Sequence, residues 1–221
     1  MHAVPRPNDA PAPRGGLPAS WKALAIRHYH ERAVRYEERV SRGLLASLRW
    51  REREAVLRLA DLASPARRTV VDVGCGGGFF ARAAKRAGMW VHAVDAAAGM
   101  VELVRPDVDL AEVADLETFD PPRRYDLVIC CGALEFVASP GEAVARLCRL
   151  CAPGGRLVLQ VPRESAGGRC YRLQKRFEGL RTVLYRRDAL VAEVAAHGLA
   201  PAGEAFPLPY NMVVAFDAPG C

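Results

Sequence analysis

The segment Val70-Val71-Asp72-Val73-Gly74-Cys75-Gly76-Gly77-Gly78-Phe79-Phe80 carries the densest potential chemistry in this chain. An apolar run enters a string of glycines and passes directly into a helical pattern. Without Cβ atoms the backbone can turn sharply, and a ligand can lie against bare main chain at a helix amino terminus. Asp72 supplies a carboxylate near that loop. The apolar run from Trp90 to Asp95 also ends in an acid, placed to bind both hydroxyls of a ribose at the carboxyl edge of a parallel sheet. A dinucleotide fingerprint, GxGxxG from Gly74, would require glycine at position 79, which is Phe79. Gly74, Gly76 and Gly78 fit GxGxG instead.

Other side chains are candidates by position. Glu135, just past the run Tyr125 to Cys131, could accept a proton or orient a substrate; the alternative is a solvated loop carboxylate. His28, Tyr29, His30 and Tyr36 fall on an amino-terminal helical pattern. Tyr29 and Tyr36 sit two turns apart on one face and point inward together, or else the helix is amphipathic with exposed histidines. His92 reads as structural and His197 as a helix-end residue. Cys148 and Cys151 have no second Cys or His pair at zinc spacing, so they read as small core residues one helical turn apart, and no metal is expected.

These residues need elements to position them. Helical patterns run from Trp21 to about Val40 and from about Leu44 to Leu62, the latter with Leu44, Leu48, Ala55, Leu59 and Leu62 on one stripe; Gly43 separates them and Pro65 closes the segment. Apolar runs follow at Thr69 to Val73, Trp90 to Asp95, Val108 to Val113, Tyr125 to Cys131 and Arg156 to Val161. Helices are expected between them at about Phe79 to Ala87, Ala97 to Val104 and Pro140 to Cys151. The last has Ser139 as N-cap, Glu142 completing a capping box, and a stop at Pro153-Gly154-Gly155. Such alternation implies a parallel sheet with helices on both faces. A helix capped by Asp188 and ended by Gly198 then leads to runs at about Leu199 to Phe206 and Tyr210 to Phe216. The short link Pro207-Leu208-Pro209 makes these an antiparallel hairpin.

With 221 residues, 51% of them hydrophobic, one sizeable core is expected. The net charge of +6 is unevenly spread: residues 1–68 hold 14 basic and 7 acidic residues, and 163–187 hold 8 and 2. Only Lys22, Lys85 and Lys175 are lysines. Seven cysteines, mostly in apolar runs, suit a reducing, cytoplasmic setting. No stretch approaches the roughly 20 apolar residues of a membrane helix, and the first 19 residues read as a disordered Pro-rich leader.

The motifs resemble those of class I S-adenosylmethionine-dependent methyltransferases. VDVGCGGGFFA resembles their first motif and HAVDAAAGMVELV their second, while AEVADLETF places Asp115 where the family's acid meets the adenine amino group, with Leu116 beside the ring. YDLVICCGALEFV and LCRLCAPGGRLVLQVP resemble the fourth strand, its helix and the fifth strand; HYHERAVRYEERV resembles the family's lid helix. The likeness covers about residues 68 to 217 and is greatest to the broad group of ubiquinone, menaquinone and natural-product enzymes. It implies a Rossmann-like α/β fold: a helical lid over 20–65 and a core over 66–221 with a substrate cap at about 163–187. It also implies S-adenosyl-L-methionine as cofactor, held by Asp72, Gly74, Cys75, Gly76, Gly78, Asp95, Ala96, Asp115, Leu116 and Cys131, with Tyr29 and Tyr36 from the lid. Met100 either lines the adenine pocket or packs a helix. Methyl transfer needs only an in-line nucleophile, so positioning and desolvation suffice and Glu135 is an optional base. The basic lid and cap suggest a small acidic or membrane-partitioned acceptor. The alternatives are an RNA or protein methyltransferase, although Cys130-Cys131-Gly132-Ala133 lacks the Pro-Pro-aromatic pattern used for exocyclic amines of bases, and a non-catalytic S-adenosylmethionine-binding partner.

Overall fold

The computed structural model describes residues 18–40, 44–64 and 66–220, leaving aside the side chains of residues 19, 34–40 and 44–46. The expected leader, Gly43 and Pro65 therefore lie outside the described residues, apart from the leader's last two positions. Two helices, α1 (Ala19–Val40) and α2 (Leu44–Ala60), precede alternating elements. These are β1 (Thr69–Val73), α3 (Phe79–Arg86), β2 (Trp90–Asp95), α4 (Ala98–Val104), β3 (Leu110–Val113), β4 (Tyr125–Cys131), α5 (Pro140–Leu150) and β5 (Cys151–Pro162). The chain ends with α6 (Ala166–Phe177), α7 (Arg187–Ala196), β6 (Ala200–Ala205) and β7 (Asn211–Asp217). No helix among the described residues is long and apolar enough to cross a membrane.

The strands form one sheet in the order β3-β2-β1-β4-β5-β7-β6. The first five are parallel, and β7 runs antiparallel to both β5 and β6. The chain works outward from β1 to β3, then returns to place β4 on the other side of β1. That reversal opens a crevice at the carboxyl edge, where parallel-sheet proteins bind ligands. The hairpin inserts its second strand next to β5, so Asn211, at the start of an antiparallel strand, also reaches this edge.

Strand alternation divides the core. Val71, Val73, Val128 and Leu157 point to one face, packed with Leu147 of α5 and Val194 of α7. Val70, Val91, Leu127, Ile129 and Val158 point to the other, against Ala81 and Ala84 of α3. Val56 and Ala60 of α2 are fully buried in that second face. Arg156 fastens α2 there: its guanidinium donates to Leu59 O at 2.9 Å and to both Asp217 carboxylate oxygens at 2.6 and 2.8 Å. Thus α2 is a layer of the core, whereas α1 packs on α4.

Several local expectations are corrected. β3 begins at Leu110, not Val108, and β5 begins at Cys151, running through the Pro-Gly-Gly expected to be a plain helix stop. The glycines are absorbed by a register shift: Tyr125 pairs with Cys151 and Leu127 with Arg156. Cys148 and Cys151 are both buried but divided between a helix and a strand. The Ser139 capping box does not form; its main-chain N–H, like that of Ala138, donates to the Glu117 carboxylate at 2.6 and 3.1 Å. Arg186, rather than Asp188, is the N-cap of α7, and Asp188 pairs with it at 2.7 Å. Within the cap segment, Ser165 caps α6 by accepting from Gly168 N–H at 3.0 Å.

Candidate functional site

The glycine loop joins β1 to α3. Main-chain N–H groups of Gly74 and Cys75 both donate to Val94 O, at 2.7 and 3.0 Å. Gly74 has φ +74°, and a Cβ there would stand 2.3 Å from the Ala133 Cβ in the loop after β4. A side chain would therefore wedge the two loops apart. Gly78 caps α3 at φ +79°, with Val104 filling the space a Cβ would need. Gly78 thus closes the loop against α4 and does not line the cavity that Gly74, Cys75, Gly76 and Gly77 border. Asp72 does not line it either. It lies fully buried beneath the loop, accepts from Ala81 N–H at 3.1 Å, and burial, with the nearby Asp95 charge, pushes its carboxyl up to about 7. Asp72 and Gly78, both expected to touch the cofactor, thus lie outside the cavity wall.

Asp95 ends β2 as expected and borders the cavity with Ala96. Its two oxygens accept from Ala97 N–H at 2.8 Å and Gly76 N–H at 2.9 Å, orienting the carboxylate toward the loop, while burial raises its pKa. Asp115 and Leu116 follow β3. Asp115 accepts from Lys22 Nζ at 2.6 Å and from Glu117 N–H at 2.9 Å, and Lys22 also bonds Glu117. Lys22, a residue whose role sequence reasoning missed, thereby ties α1 to the loop that carries Asp115.

The lid helix approaches by further contacts. Tyr29 lines the cavity edge-on to Phe136, ring centroids 5.6 Å apart, with His28 packed edgewise on it. His30 Nδ1 accepts from Gly99 N–H at the start of α4 at 3.0 Å, so this histidine holds the lid down. The Tyr36 side chain lies outside the described residues. Met100 packs with Ala33 and Ala97, one of the two roles expected of it, and also borders the cavity. His92 is buried at 2.7 Å from the Tyr125 hydroxyl, the structural role expected, and His197 is the C-cap residue of α7.

Cys131 and Gly132 carry the cavity wall past β4 to a 3-10 turn, Leu134–Phe136, holding Glu135. Glu135 is 5% exposed, which excludes the solvated-loop reading. Its Oε1 accepts from the Tyr171 hydroxyl of α6 at 2.6 Å, and burial, partly offset by that bond, pushes its carboxyl up to about 7. A second buried acid went unnoticed in the sequence: Glu52 of α2, 6% exposed. Its Oε1 accepts from Tyr210 Oη at 2.9 Å, Gln160 Nε2 at 3.4 Å and Asn211 Nδ2. Burial raises its pKa against the opposing charges of Arg49 and Arg53. Tyr171 and Tyr210 stack in parallel, centroids 4.9 Å apart, joining the two clusters. The signal was available: Leu48, Glu52, Ala55 and Leu59 share one helical stripe, and an acid among apolar residues there must be buried.

Glu52, Glu135, Tyr171, Gln160, Tyr210 and Asn211 border the same cavity as the glycine loop and Asp95, about 780 Å³, inside the roughly 300–1,000 Å³ typical of small-molecule sites. It follows the sheet edge from Asp95 on β2 to Asn211 on β7, four strand spacings, or about 19 Å at about 4.8 Å each. The cap segment does not bring its arginines to it. Arg169, Arg172 and Arg176 are exposed on α6, and Lys175, which does border the cavity, is paired with Glu178 at 2.8 Å. The segment's positive charge therefore gives no reason to expect an acidic acceptor. Among the described residues, no group of His, Cys, Asp and Glu is placed to hold a metal ion.

A family model described as a methyltransferase domain matches residues 46–202. A ubiquinone biosynthesis O-methyltransferase from Alkalilimnicola ehrlichii is 35% identical over 103 residues, 42% of this chain and 41% of that protein. Its counterpart from Serratia proteamaculans is 35% identical over 98 residues, 41% of each. The aligned region thus spans about two fifths of these relatives' length. Among solved structures, magnesium protoporphyrin IX methyltransferase from Synechocystis, with bound S-adenosylhomocysteine, superposes with TM-score 0.71 at 16% identity, covering 89% of this chain and 99% of that one. A Burkholderia thailandensis 1,6-didemethyltoxoflavin N1-methyltransferase gives 0.67 at 16% identity, covering 96% and 93%. At such identities the likeness establishes the Rossmann-like fold.

Proposed function

This chain belongs to the methyltransferase-domain family, and on that premise we propose that it transfers a methyl group from S-adenosylmethionine to a small-molecule acceptor. The observation that carries the reading is the single elongated cavity, with bare glycine main chain and Asp95 at one end and the Glu135–Tyr171 pair farther along. The residues fit the cofactor. The loop from Gly74 to Gly77, with three glycines in four residues, borders the cavity, and Asp95 presents two oxygens, each held by one amide and each with a lone pair left for a ribose hydroxyl. Leu116 and Met100 offer apolar walls for adenine, with Asp115 at their rim and Tyr29 closing from above.

When bound, S-adenosylmethionine supplies an electrophilic methyl group on a sulfonium sulfur. The chain's own contribution is to hold the two reactants in line and exclude water, the lid helix fixed by the Lys22 and His30 contacts serving that end. Glu135, its carboxyl balanced near neutrality by burial, accepts the acceptor's proton or orients its nucleophilic atom, with Tyr171 fixing one carboxylate oxygen. The concave cavity, walled by α1 and α6, suits a small molecule better than a macromolecular surface.

The test is calorimetry on folded protein with S-adenosylhomocysteine and S-adenosylmethionine, then a screen of acceptors for S-adenosylhomocysteine release. Uptake of both, weakened about tenfold or more by Asp95→Ala with an unchanged circular dichroism spectrum, is expected. Failure of folded protein to bind either compound refutes the reading.

A further inference from the structure

Beyond the cofactor end, the cavity has a chemical bias of its own. Tyr171 Oη is committed to Glu135 at 2.6 Å, and Tyr210 Oη to Glu52 at 2.9 Å. The amides of Gln160 and Asn211 also donate to Glu52. The local side-chain donors are thus spent on carboxylates. Asn211 Oδ1, on a residue only 2% exposed, has no hydrogen-bond partner. A buried carbonyl oxygen left unpaired is costly and marks a place where a ligand donor belongs. Flipping Asn211 would lose its amide bond to Glu52, so the acid beside it fixes which way the amide lies.

From this arrangement we infer that the far end of the cavity recognises a primary or secondary ammonium group, making the acceptor an amine. An alcohol brings one donor and no charge. An ammonium brings two or three N–H groups and a positive charge to set against two carboxylates, each less than a tenth exposed. The nearby cations temper the acids from the cavity wall, Arg49 acting on both, Arg53 on Glu52 and Lys175 on Glu135, yet burial still outweighs them at both. The parallel Tyr171 and Tyr210 rings set the spacing of the two acids, since each hydroxyl is bound to a different one.

The inference rests on the proposed methyl transfer for its chemistry. The ammonium gives an N–H proton to the Glu135 carboxylate and becomes a neutral amine. Its lone pair forms the new N–C bond as the C–S bond of the sulfonium donor breaks, the bonding pair passing to sulfur. The methylated nitrogen keeps the positive charge.

Calorimetry on protein saturated with S-adenosylhomocysteine tests this, with alkyl and aryl-alkyl amines against alcohols and carboxylates on the same skeletons. Amines are expected to bind about tenfold or more tighter, and to be the class methylated when S-adenosylmethionine replaces the product. Glu52→Gln, which keeps an oxygen for Tyr210 and Asn211, should erase that preference while S-adenosylhomocysteine affinity holds and the melting temperature does not fall. Glu52→Asp, which keeps the charge, should retain part of it. Equal binding of all three classes, or a preference untouched by Glu52→Gln, overturns the inference. Failure of S-adenosylhomocysteine to bind would instead refute the methyl-transfer reading, and amine preference measured on the free protein would then stand or fall separately.

Discussion

Replacing Glu135 by Gln should make the ligand-free protein more stable at alkaline pH and leave it nearly unchanged in mild acid. Burial pushes this carboxyl from 4.5 to about 7. Folding therefore favours the protonated form. The stability that goes with it is fully present below pH 4.5, declines as the unfolded chain ionises, and is gone once pH has risen through 7. A rise of this size corresponds to about 3 kcal/mol between the acid and alkaline limits. Gln retains an oxygen for the Tyr171 hydroxyl, at 2.6 Å in the wild type, and does not ionise. Urea unfolding of both proteins from pH 5 to 8.5 should show the variant's advantage growing by about 2–3 kcal/mol. A stability gap that stays flat across this range would mean that water reaches the carboxylate, and would remove the basis for Glu135 as a proton acceptor near neutrality.

Gly74→Ala should cost about 1–3 kcal/mol and weaken S-adenosylhomocysteine binding about tenfold or more, because its Cβ would stand 2.3 Å from Ala133 at φ +74°. Gly132→Ala, with the same φ but open space around it, should cost only the backbone strain, about 1–2 kcal/mol; equal losses of affinity in the two variants would deny the close approach of the loops. Asp72→Ala leaves the Ala81 N–H unpaired and should lose about 1–3 kcal/mol, whereas Asp72→Asn keeps an acceptor oxygen and should match or exceed the wild type above pH 7. Denaturant titration separates the two, and an equally damaged Asn variant would mean that the buried charge itself is needed. Burial lowers the pKa of His92 below 6.5, against the opposing pull of Glu112 and with help from Arg123. The stability linked to its neutral form is present above pH 6.5 and lost as pH falls through the folded value, so His92→Gln should be less acid-sensitive than the wild type between pH 7 and 5, as followed by thermal melts.

Much of the site was written locally. The glycine spacing, the acid closing the second strand and Phe79 in place of a third fingerprint glycine all lie within one strand-turn-helix unit, where neighbours in sequence are neighbours in space. Sequence alone could therefore specify the cradle at Gly74, the reach of Asp95 and the alternation that builds a parallel sheet. Its errors were those of partners distant in the chain. Glu117 took the Ser139 amide that Glu142 was expected to cap, together with the Ala138 amide beside it. Gly78 and Asp72 lie off the cavity wall, where Val104 and Ala81 meet them.

Tertiary structure alone decided the acceptor end. Glu52, Glu135, Tyr171 and Asn211 come from α2, the turn after β4, α6 and β7, as much as 159 positions apart. No spacing rule links them until the hairpin inserts β7 beside β5 and α6 folds back over the edge. Burial and charge depend on what surrounds a side chain in three dimensions. That is why the arginines of the cap, so prominent in composition, turn to solvent, while two acids hidden in ordinary-looking helical and loop segments define the cavity's far end.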